Sequence, residues 1–319
     1  MQIKHFFDPR TWNLTYVVHE GKDAVVIDSV LDYDPRDGKV FTESCDAVEA
    51  YLDEHGLTLH WALDTHPHAD HLSGQAHLRR VRGCKTAIGA GIERVQATWK
   101  GIFNLGDEFK TDGSQFDRLL ADGEVLEVGA LKIEVLLTEG HTPASLTYKI
   151  GDALFVGDLV FMPDQGTARS DFPGGSAQQM YESVQRIYAY PDETRVFTNH
   201  DYQPGGRELR YTCTVGELKA SNQHLNAETT LEEFVLRKRL GDGKPAPTLL
   251  FPAVQVNIRG GDLPCPRPTG SPTQGPAQRA VARAALAPPL LGGGASSRSR
   301  SSRWSARLLL CCVGGEDVA

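Results

Sequence analysis

Residues 65–74 read THPHADHLSG, and this stretch places three histidines and an aspartate within six residues, directly after the apolar run WALD (61–64). Imidazole and carboxylate groups are costly to bury unless a partner satisfies them. Packing therefore does not explain the pattern, whereas a bound metal ion would. Helix capping or solvation of the histidines is the alternative interpretation of the same residues.

The net charge divides the chain into two parts. The 319 residues carry −8 in total, but residues 265–319 contain seven Arg and two acidic residues, a balance of +5 that leaves −13 for the rest. An acidic body is a poor partner for nucleic acid unless a basic patch is segregated on one face. With 40% hydrophobic residues the chain can bury a sizeable core. The composition favours a globular protein with small-molecule chemistry and no nucleic-acid partner.

The start of the chain and its cysteines indicate the compartment. Residues 1–18 lack the basic start and apolar segment of a signal peptide, and no apolar run approaches the length of about 18 residues that spans a membrane. The cysteines are scattered without a CxxC pair, at Cys45, Cys84, Cys213, Cys265, Cys311 and Cys312. We expect a cytoplasmic protein with reduced thiols and no membrane association.

Short apolar runs alternate with helical patterns along the chain, which predicts an α/β layered domain. Strands are predicted within 15–20, 23–29, 60–66, 85–90, 125–141, 144–158 and 195–201. Helices are predicted near 47–55, 72–82, 176–189 and 229–239. The polar segment 106–123 predicts a long loop, and Gly-Asp at 151–152 predicts a hairpin turn.

Four of the predicted strands lead into a residue that can bind a metal, namely His66, His141, Asp158 and His200. In open α/β sheets, ligands gather beyond the carboxyl ends of strands. We therefore expect these four side chains to share one site with His68, Asp70 and His71. Imidazole and carboxylate are ligands for zinc, iron and manganese, and no thiolate lies in the pattern.

Four motifs, in this order and spacing, resemble those of the metallo-β-lactamase superfamily: THPHADH (65–71), GHTPAS (140–145), FVGD (155–158) and TNHDY (198–202). The resemblance covers residues 1–261. It implies the α/β (α+β) fold of that superfamily, an αβ/βα four-layer sandwich of two mixed sheets with outer helices.

Residues 262–319 form the second predicted segment. From Cys265 the chain is rich in Pro, Gly, Ala, Ser and Arg, lacks Lys and shows no period. We expect a disordered basic tail, because such a composition does not build a packed core. The alternative is an out-of-frame translation of a GC-rich gene, since such frames are dominated by Arg, Ala, Pro and Gly codons.

Within the superfamily, GTARSDFPGG (166–175) and KPAPTLLFPAVQVNIRGG (244–261) resemble the persulfide dioxygenase branch. The resemblance implies one Fe(II) per chain, bound by His66, His141 and Asp158. Two histidines and a carboxylate leave positions open on the iron for a substrate sulfur and dioxygen. The implied reaction oxidises glutathione persulfide with O2 and water to sulfite and glutathione, as in hydrogen sulfide detoxification. Members of this branch are often dimeric, so a homodimer is one expectation.

The same resemblance implies supporting roles around the iron. Hydrogen bonds from four residues would orient the ligands: His68, Asp70, His71 and His200. Tyr202 would hydrogen-bond a water or oxygen at the iron, and Thr142 would lie beside the substrate.

The loop over the site carries further candidates. Arg169 and Asp171 are expected to brace it together with Asp201, either as a structural salt bridge or as a substrate contact. Thr167 stands where dioxygenase relatives often carry a cysteine. A role for a thiol at that position is therefore not expected.

A thioesterase of the glyoxalase II type is the main alternative, since it shares the HxHxDH pattern but uses two metal ions. One Zn(II) would be bound by His66, His68 and His141, the other by Asp70, His71 and His200, with Asp158 as the bridge. Glyoxalase II enzymes have a C-terminal helical domain, whereas only residues 229–239 predict a helix after His200. The dioxygenase is therefore favoured, and a non-catalytic metal-binding protein is the third interpretation.

Overall fold

The computed structural model describes residues 1–243 and 245–264. Lys244 and residues 265–319 lie outside the described residues, so only positions 262–264 of the predicted basic tail are described. Two six-stranded sheets face each other across a shared core, and helices cover their outer faces. The predicted four-layer αβ/βα sandwich is confirmed.

The first sheet is mixed. Its spatial order is β1 (Gln2–Asp8), β2 (Asn13–Glu20), β3 (Asp23–Ile27), β6 (Thr58–Leu63), β8 (Lys85–Gly89) and β9 (Arg118–Leu120). Strands β1 to β3 pair antiparallel, and β3, β6, β8 and β9 pair parallel. A smaller sheet contains β5 (Lys39–Phe41), β4 (Val30–Asp34) and β7 (Leu72–Ser73).

The second sheet follows the chain order. It consists of β10 (Val125–Val128), β11 (Leu131–Leu137), β12 (Leu146–Ile150), β13 (Ala153–Phe155), β14 (Arg195–Phe197) and β15 (Thr212–Thr214). All neighbours pair antiparallel except β13 and β14, which run parallel. The predicted turn at 151–152 joins β12 to β13.

Alternation along the strands builds the core between the sheets. In β11, Leu131, Ile133 and Val135 are buried, whereas Lys132 and Glu134 are exposed, because successive side chains of a strand point to opposite faces. Both sheets contribute to one apolar cluster, which includes Tyr16, Ile27, Leu63, Tyr148 and Phe155.

Helices form the two outer layers. In the described chain they are α1 (Glu43–Glu54), α2 (Gln75–Arg82), α3 (Ile92–Ile102), α4 (Ala177–Tyr188), α5 (Val215–Ser221), α6 (Leu231–Gly241) and α7 (Leu250–Asn257). Apolar residues of α1 and α2 pack on the first sheet, and those of α4, α5 and α6 pack on the second. The hydroxyl of Ser176 accepts a hydrogen bond from the amide of Gln179 and caps α4, as expected for the helix predicted near 176–189. Of the helices described, none is long and apolar enough to cross a bilayer.

Two predicted boundaries are wrong. The segment 72–82 is not one helix, because Leu72 and Ser73 pair with β4 and the helix begins at Gln75. The segment 106–123 is not loop throughout, since β9 forms the edge of the first sheet within it.

The chain after His200 is more helical than the sequence predicts. The structure has α5, α6 and α7 in this region, where one helix is expected. Helix α5 is short, and it begins with a capping box formed by Thr214 and Glu217. Helix α7 contains Pro252 within an apolar run. Packing continues to Asp262, which forms ion pairs with Arg79 (3.0 Å) and Arg80 (2.7 Å).

Candidate metal centre

Loops after strands of both sheets bring the candidate ligands together. His66 follows β6, His141 follows β11 and Asp158 follows β13. Oδ2 of Asp158 lies 3.7 Å from Nε2 of His66 and 3.7 Å from Nε2 of His141. His200, after β14, places Nε2 3.5 Å from Oδ1 of Asp158 and 3.2 Å from Oδ2 of Asp70. The four strand ends therefore meet at one place.

His68 and His71 lie in the same cluster. The ring centroid of His68 is 4.2 Å from that of His66 and 4.2 Å from that of His71. The imidazoles of His66, His68 and His71 in the HxHxDH loop are therefore neighbours within one cluster. Both the set of three iron ligands implied by the resemblance and the set of seven for two metals are spatially clustered.

A glycine makes the close approach of the two sheets feasible. Gly157, in the FVGD motif, has φ +54°, and a Cβ there would lie 2.4 Å from Oγ1 of Thr65. Any larger residue would push the Asp158 loop away from Thr65 and His66. The position before Asp158 therefore requires glycine both because the space is too small for a side chain and because the backbone has a positive φ.

A hydrogen bond fixes the ring of each histidine in the cluster. Four of the rings bond through Nδ1: His66 to Oγ1 of Thr65 (3.0 Å), His71 to the carbonyl of Leu72 (3.1 Å), His141 to the carbonyl of Arg169 (2.8 Å) and His200 to the carbonyl of Trp12 (3.2 Å). A carbonyl only accepts, so Nδ1 of the last three rings carries the proton and Nε2 keeps its lone pair. This arrangement is the one that a metal-binding imidazole requires.

His68 has the opposite tautomer because of Asp28. Its Nε2 donates to Oδ1 of Asp28 (3.0 Å), which leaves Nδ1 toward the cluster. Asp28 also accepts hydrogen bonds from the amide (2.7 Å) and the hydroxyl (2.9 Å) of Thr65, which in turn contacts His66. One buried carboxylate therefore orients two histidines. Asp28 is not among the predicted site residues, although it directly follows an apolar strand, as Asp158 does.

In the metal-free protein, burial determines the protonation states of the histidines and aspartates in the cluster. It lowers the pKa of His66 and of His68 well below the ordinary value, so both rings are neutral at pH 7. Burial also raises the pKa of Asp158 to about 8, although nearby His141 opposes the shift, and it raises the pKa of Asp28 to about 7. Desolvation thus favours uncharged groups, and a bound cation would reverse this for the carboxylates.

Buried polar atoms without a hydrogen-bond partner converge on the same point. They are Nε2 of His66, Nδ1 of His68, Oδ2 of Asp70, Nε2 of His71, Oδ1 of Asp158 and Nε2 of His200. A buried polar atom left unsatisfied costs about 1–3 kcal/mol. The ligand atoms of His66, His141 and Asp158 lie within 4.8 Å of one another, as do those of His68, Asp70 and His71. The residues present therefore fit a metal centre, with either one ion or two.

The cluster opens into a cavity of about 430 Å³, within the usual range for small-molecule sites. His141 and Asp158 line it at the buried end, and Phe161, Phe172 and Tyr202 supply aromatic walls. The ring of Tyr202 stacks on His200 with a centroid separation of 5.4 Å and an interplanar angle of 6°. Tyr202, singled out from the sequence, thus lies at the cavity beside the cluster.

Arg169 and Asp171 form the expected brace of the loop. Nε of Arg169 lies 2.6 Å from Oδ1 of Asp171, and Nη2 lies 2.7 Å from Oδ2. The carboxylate of Asp171 also accepts from the amide of Gly243 (2.7 Å), so the pair ties the loop to the end of α6. Arg169 lines the cavity.

Asp201 and Thr142, both predicted to lie beside the site, form their hydrogen bonds with other residues. Asp201 does not join Arg169 and Asp171, since its buried carboxylate is held by Nη1 and Nη2 of Arg207, each at 2.7 Å. The hydroxyl of Thr142 bonds to Oγ of Ser145 (2.9 Å) inside the turn, and Thr142 lines a separate small pocket with Phe172. Thr167, at the position of the missing cysteine, donates its amide to Nδ1 of His224 (2.9 Å).

Asn257, at the end of α7, is another supporting residue that is not among those predicted from the sequence. Its Nδ2 donates to the carbonyl of His68 (2.8 Å) and to that of His71 (2.9 Å), and its Oδ1 accepts from the amide of Ser73 (2.7 Å). The side chain is buried. The apolar run FPAVQVNI contains two polar residues, Gln255 and Asn257. Because a buried amide needs hydrogen-bond partners, this pattern could have indicated a structural role for one of them.

Comparison with known proteins places this architecture in a family. The model of the metallo-β-lactamase superfamily matches residues 13–200. A β-lactamase hydrolase-like protein of Agrobacterium fabrum is 51% identical over 84% of this chain, and the chain spans 62% of the length of that relative. Glyoxylase B2 of Dictyostelium discoideum is 43% identical, with 80% of this chain and 88% of the relative covered.

Two further similarities concern persulfide dioxygenases. The human mitochondrial persulfide dioxygenase ETHE1 is 30% identical, with 81% of this chain and 88% of the relative covered. The crystal structure of ETHE1 from Myxococcus xanthus superposes with a TM-score of 0.66 at 29% identity, covering 82% of this chain and all of that one. Fold, motifs and matched residues agree, and the chain belongs to the metallo-β-lactamase superfamily.

Proposed function

We propose that this chain is a glutathione-dependent persulfide dioxygenase with one Fe(II) held by His66, His141 and Asp158. The observation that carries the proposal is the triad itself, in which Oδ2 of Asp158 lies 3.7 Å from the Nε2 atoms of both histidines. Two histidines and one carboxylate are the ligand set of non-haem Fe(II) oxygenases. The similarity to ETHE1 along most of both chains supports the same assignment.

The proposed reaction converts glutathione persulfide, O2 and water into glutathione, sulfite and two protons. The outer sulfur is oxidised, O2 is reduced, and the sulfur–sulfur bond breaks. When bound, the iron would supply the place where sulfur and dioxygen react. The protein would supply binding and orientation.

The side chains around the triad have definite tasks in this proposal. The carbonyl of Arg169 holds Nδ1 of His141, so Nε2 points at the ligand cluster. Tyr202 is half-exposed, but desolvation at the cavity wall and the nearby carboxyl groups of Asp158 and Asp70 raise the pKa of its phenol, which remains a proton donor at neutral pH. Phe161 and Phe172 restrict water at the buried end of the cavity.

A two-metal thioesterase of the glyoxalase II type is the second candidate. The observation that favours it is the second set of atoms, from His68, Asp70 and His71, which lie within 4.8 Å of one another. The relative named Glyoxylase B2 is consistent with it. The three helices after His200 also remove the sequence argument against it.

Metal content and oxygen consumption, measured on the same preparation, separate the two candidates. The protein is purified without oxygen, analysed for metals and assayed with glutathione persulfide in an oxygen electrode and with S-lactoylglutathione for hydrolysis. About one iron per chain with persulfide-dependent O2 uptake is the expected result for the ligand triad. About two metal ions per chain with thioester hydrolysis and no O2 uptake would overturn the proposal in favour of the thioesterase.

A further inference from the structure

The cavity extends from the ligand cluster to helix α6. Besides His141 and Asp158, its lining includes His224, Arg237 and Lys238. We propose that Arg237 is a specificity-determining residue that binds a carboxylate of the thiol substrate at the end of the cavity away from the metal site. This inference rests on the proposed function, since it concerns the substrate of the same cavity.

Arg237 is held in place by backbone carbonyls. Its Nη1 donates to the carbonyl of Gln223 (2.8 Å) and to that of His224 (2.5 Å). Within residues 1–243 and 245–264, Nε and Nη2 have no hydrogen-bond partner, and no carboxylate lies within 4.0 Å of the guanidinium. The guanidinium is therefore pre-oriented, and Glu233, one turn earlier in α6, attracts it electrostatically without forming an ion pair with it. A guanidinium of this kind matches a carboxylate with two parallel hydrogen bonds.

Other charged groups that line the cavity already have partners. Arg169 is paired with Asp171, and Nζ of Lys238 donates to the carbonyl of Ala168 and lies 3.8 Å from Oδ1 of Asp242. This leaves Arg237 as the guanidinium suited to an incoming anion.

The acidic groups of the lining are engaged as well. Asp164 is paired with Arg207 at 2.6 Å. One carboxylate oxygen of Asp242 accepts from the amide and the hydroxyl of Ser170, both at 2.8 Å. Neither carboxylate therefore forms an ion pair with Arg237, and the exposed end of the cavity favours an anion.

The occupant that fits is a thiol with a carboxylate several bonds from its sulfur. With the sulfur near Asp158 and the carboxylate at Arg237, the substrate is fixed at two points in one cavity. Glutathione has a glycyl carboxylate and a γ-glutamyl carboxylate in such positions, whereas a small inorganic persulfide has neither. Arg237 would therefore select tripeptide persulfides over inorganic ones.

The test compares Arg237→Gln with wild type on glutathione persulfide and on the persulfide of glutathione glycyl monoethyl ester. Loss of a charged hydrogen bond should raise KM for glutathione persulfide on the order of 10- to 100-fold with little change in kcat. If the glycyl carboxylate is the partner, the ester should be a poor substrate for wild type and no worse than glutathione persulfide for the variant. Equal KM values for the two substrates in wild type, with the variant still impaired, would assign the γ-glutamyl carboxylate.

Arg239→Gln is the matched control. It removes the same charge from the same helix, but the two positions lie about 200° apart around the helix axis. An equal rise in KM in both variants would overturn the proposal in favour of long-range attraction by net charge. An unchanged KM in Arg237→Gln would overturn it directly.

A binding measurement keeps this inference separate from the proposed chemistry. The Kd of unreactive S-methylglutathione is measured by calorimetry with the metal-loaded full chain. Weakening in Arg237→Gln but not in Arg239→Gln supports the carboxylate subsite even if no O2 uptake is found, in which case only the dioxygenase assignment fails. Equal Kd values for the wild type and both variants would reject the subsite even in an active dioxygenase.

Discussion

The side-chain amide of Asn257 donates a 2.8 Å hydrogen bond to the backbone carbonyl of His68, across 189 positions of sequence. The same nitrogen reaches the carbonyl of His71, and the amide oxygen accepts from the backbone of Ser73. The HxHxDH loop is thus held in place by the end of α7. The shape of the candidate metal centre depends on a residue beyond the span of the family match, which ends at residue 200.

Asn257→Leu should weaken metal binding about 10- to 100-fold, the usual effect of losing a group that supports metal ligands. The leucine has a similar volume but leaves two carbonyls and one amide without their partner. Competition with a chelator measures the affinity, and the absorption spectrum of the cobalt-substituted protein reports the ligand geometry.

Gln255→Leu is the control for Asn257→Leu. Gln255 is equally buried in α7, but its side chain donates only to the carbonyl of Phe251 within the helix. A matching loss of affinity in both variants, with unchanged cobalt spectra, would show that α7 contributes stability only.

Substitution of the proposed ligands distinguishes one metal from two. Asp158→Ala should abolish metal binding and O2 uptake, because Asp158 contacts both sets of ligands. His71→Ala should retain about one iron per chain if the site is mononuclear, since His71 is outside the triad. Elemental analysis and the oxygen electrode measure both effects.

His60→Ala serves as the control for the ligand series. His60 is partly exposed and bonds to Asp23 (2.7 Å), away from the cluster. It should retain the metal content of wild type. A His71→Ala protein that lost all of its metal would contradict the mononuclear assignment.

The affinity for Fe(II) should fall as the pH drops below about 8. Burial raises the pKa of Asp158 to about 8, so below that pH the carboxyl group of the metal-free protein holds a proton that the ion must displace. Above it, no proton leaves this group, and the dependence should flatten. Each unit of pH below 8 should weaken binding by up to about tenfold. Competitive titrations between about pH 6.5 and 9 would test this, and a constant affinity across that range would refute it.

Arg207→Gln should destabilise the fold by about 2 kcal/mol, because the buried carboxylate of Asp201 loses its bidentate charged partner. It keeps hydrogen bonds from the amides of Gln203 and Arg210, which limit the loss. Asp164→Asn removes the exposed half of the same network and should cost less than about 1 kcal/mol. Urea unfolding gives both values. Equal losses in the two variants would mean that burial of Asp201 is not the source of the stability.

The local pattern of the sequence predicts the centre of this molecule well. Apolar runs that end at His66, His141, Asp158 and His200 are strands, and their ends meet. These strands can be predicted because alternating or continuous apolar residues, followed by turn residues, form a pattern within a few neighbouring positions. The short α5 and α7 escape such a pattern, since each has few turns and is stabilised by packing on the rest of the domain.

Residues that act across the fold are not visible in this way. Asp28 and Asn257 bond to His68 from 40 and 189 positions away along the chain, and nothing in their immediate sequence indicates this partner. For Asp201, the sequence indicates an ion pair near the site but not that Arg207 supplies it. Long-range hydrogen bonds depend on the tertiary arrangement. The local sequence pattern therefore predicts the candidate metal ligands but not the residues that hydrogen-bond to them.

The three proposed iron ligands come from opposite halves of the sandwich, with His66 after a strand of the first sheet and His141 and Asp158 after strands of the second. An ion held by all three would work as a reversible cross-link between the halves, closing a long loop of chain as a disulfide does. The lifetime of this metal cross-link would depend on the concentration of free iron and on the rate at which the ligands release the ion, whereas that of a disulfide depends on the redox potential of the surroundings. Cellular iron would then govern the lifetime of the folded protein as well as its catalysis.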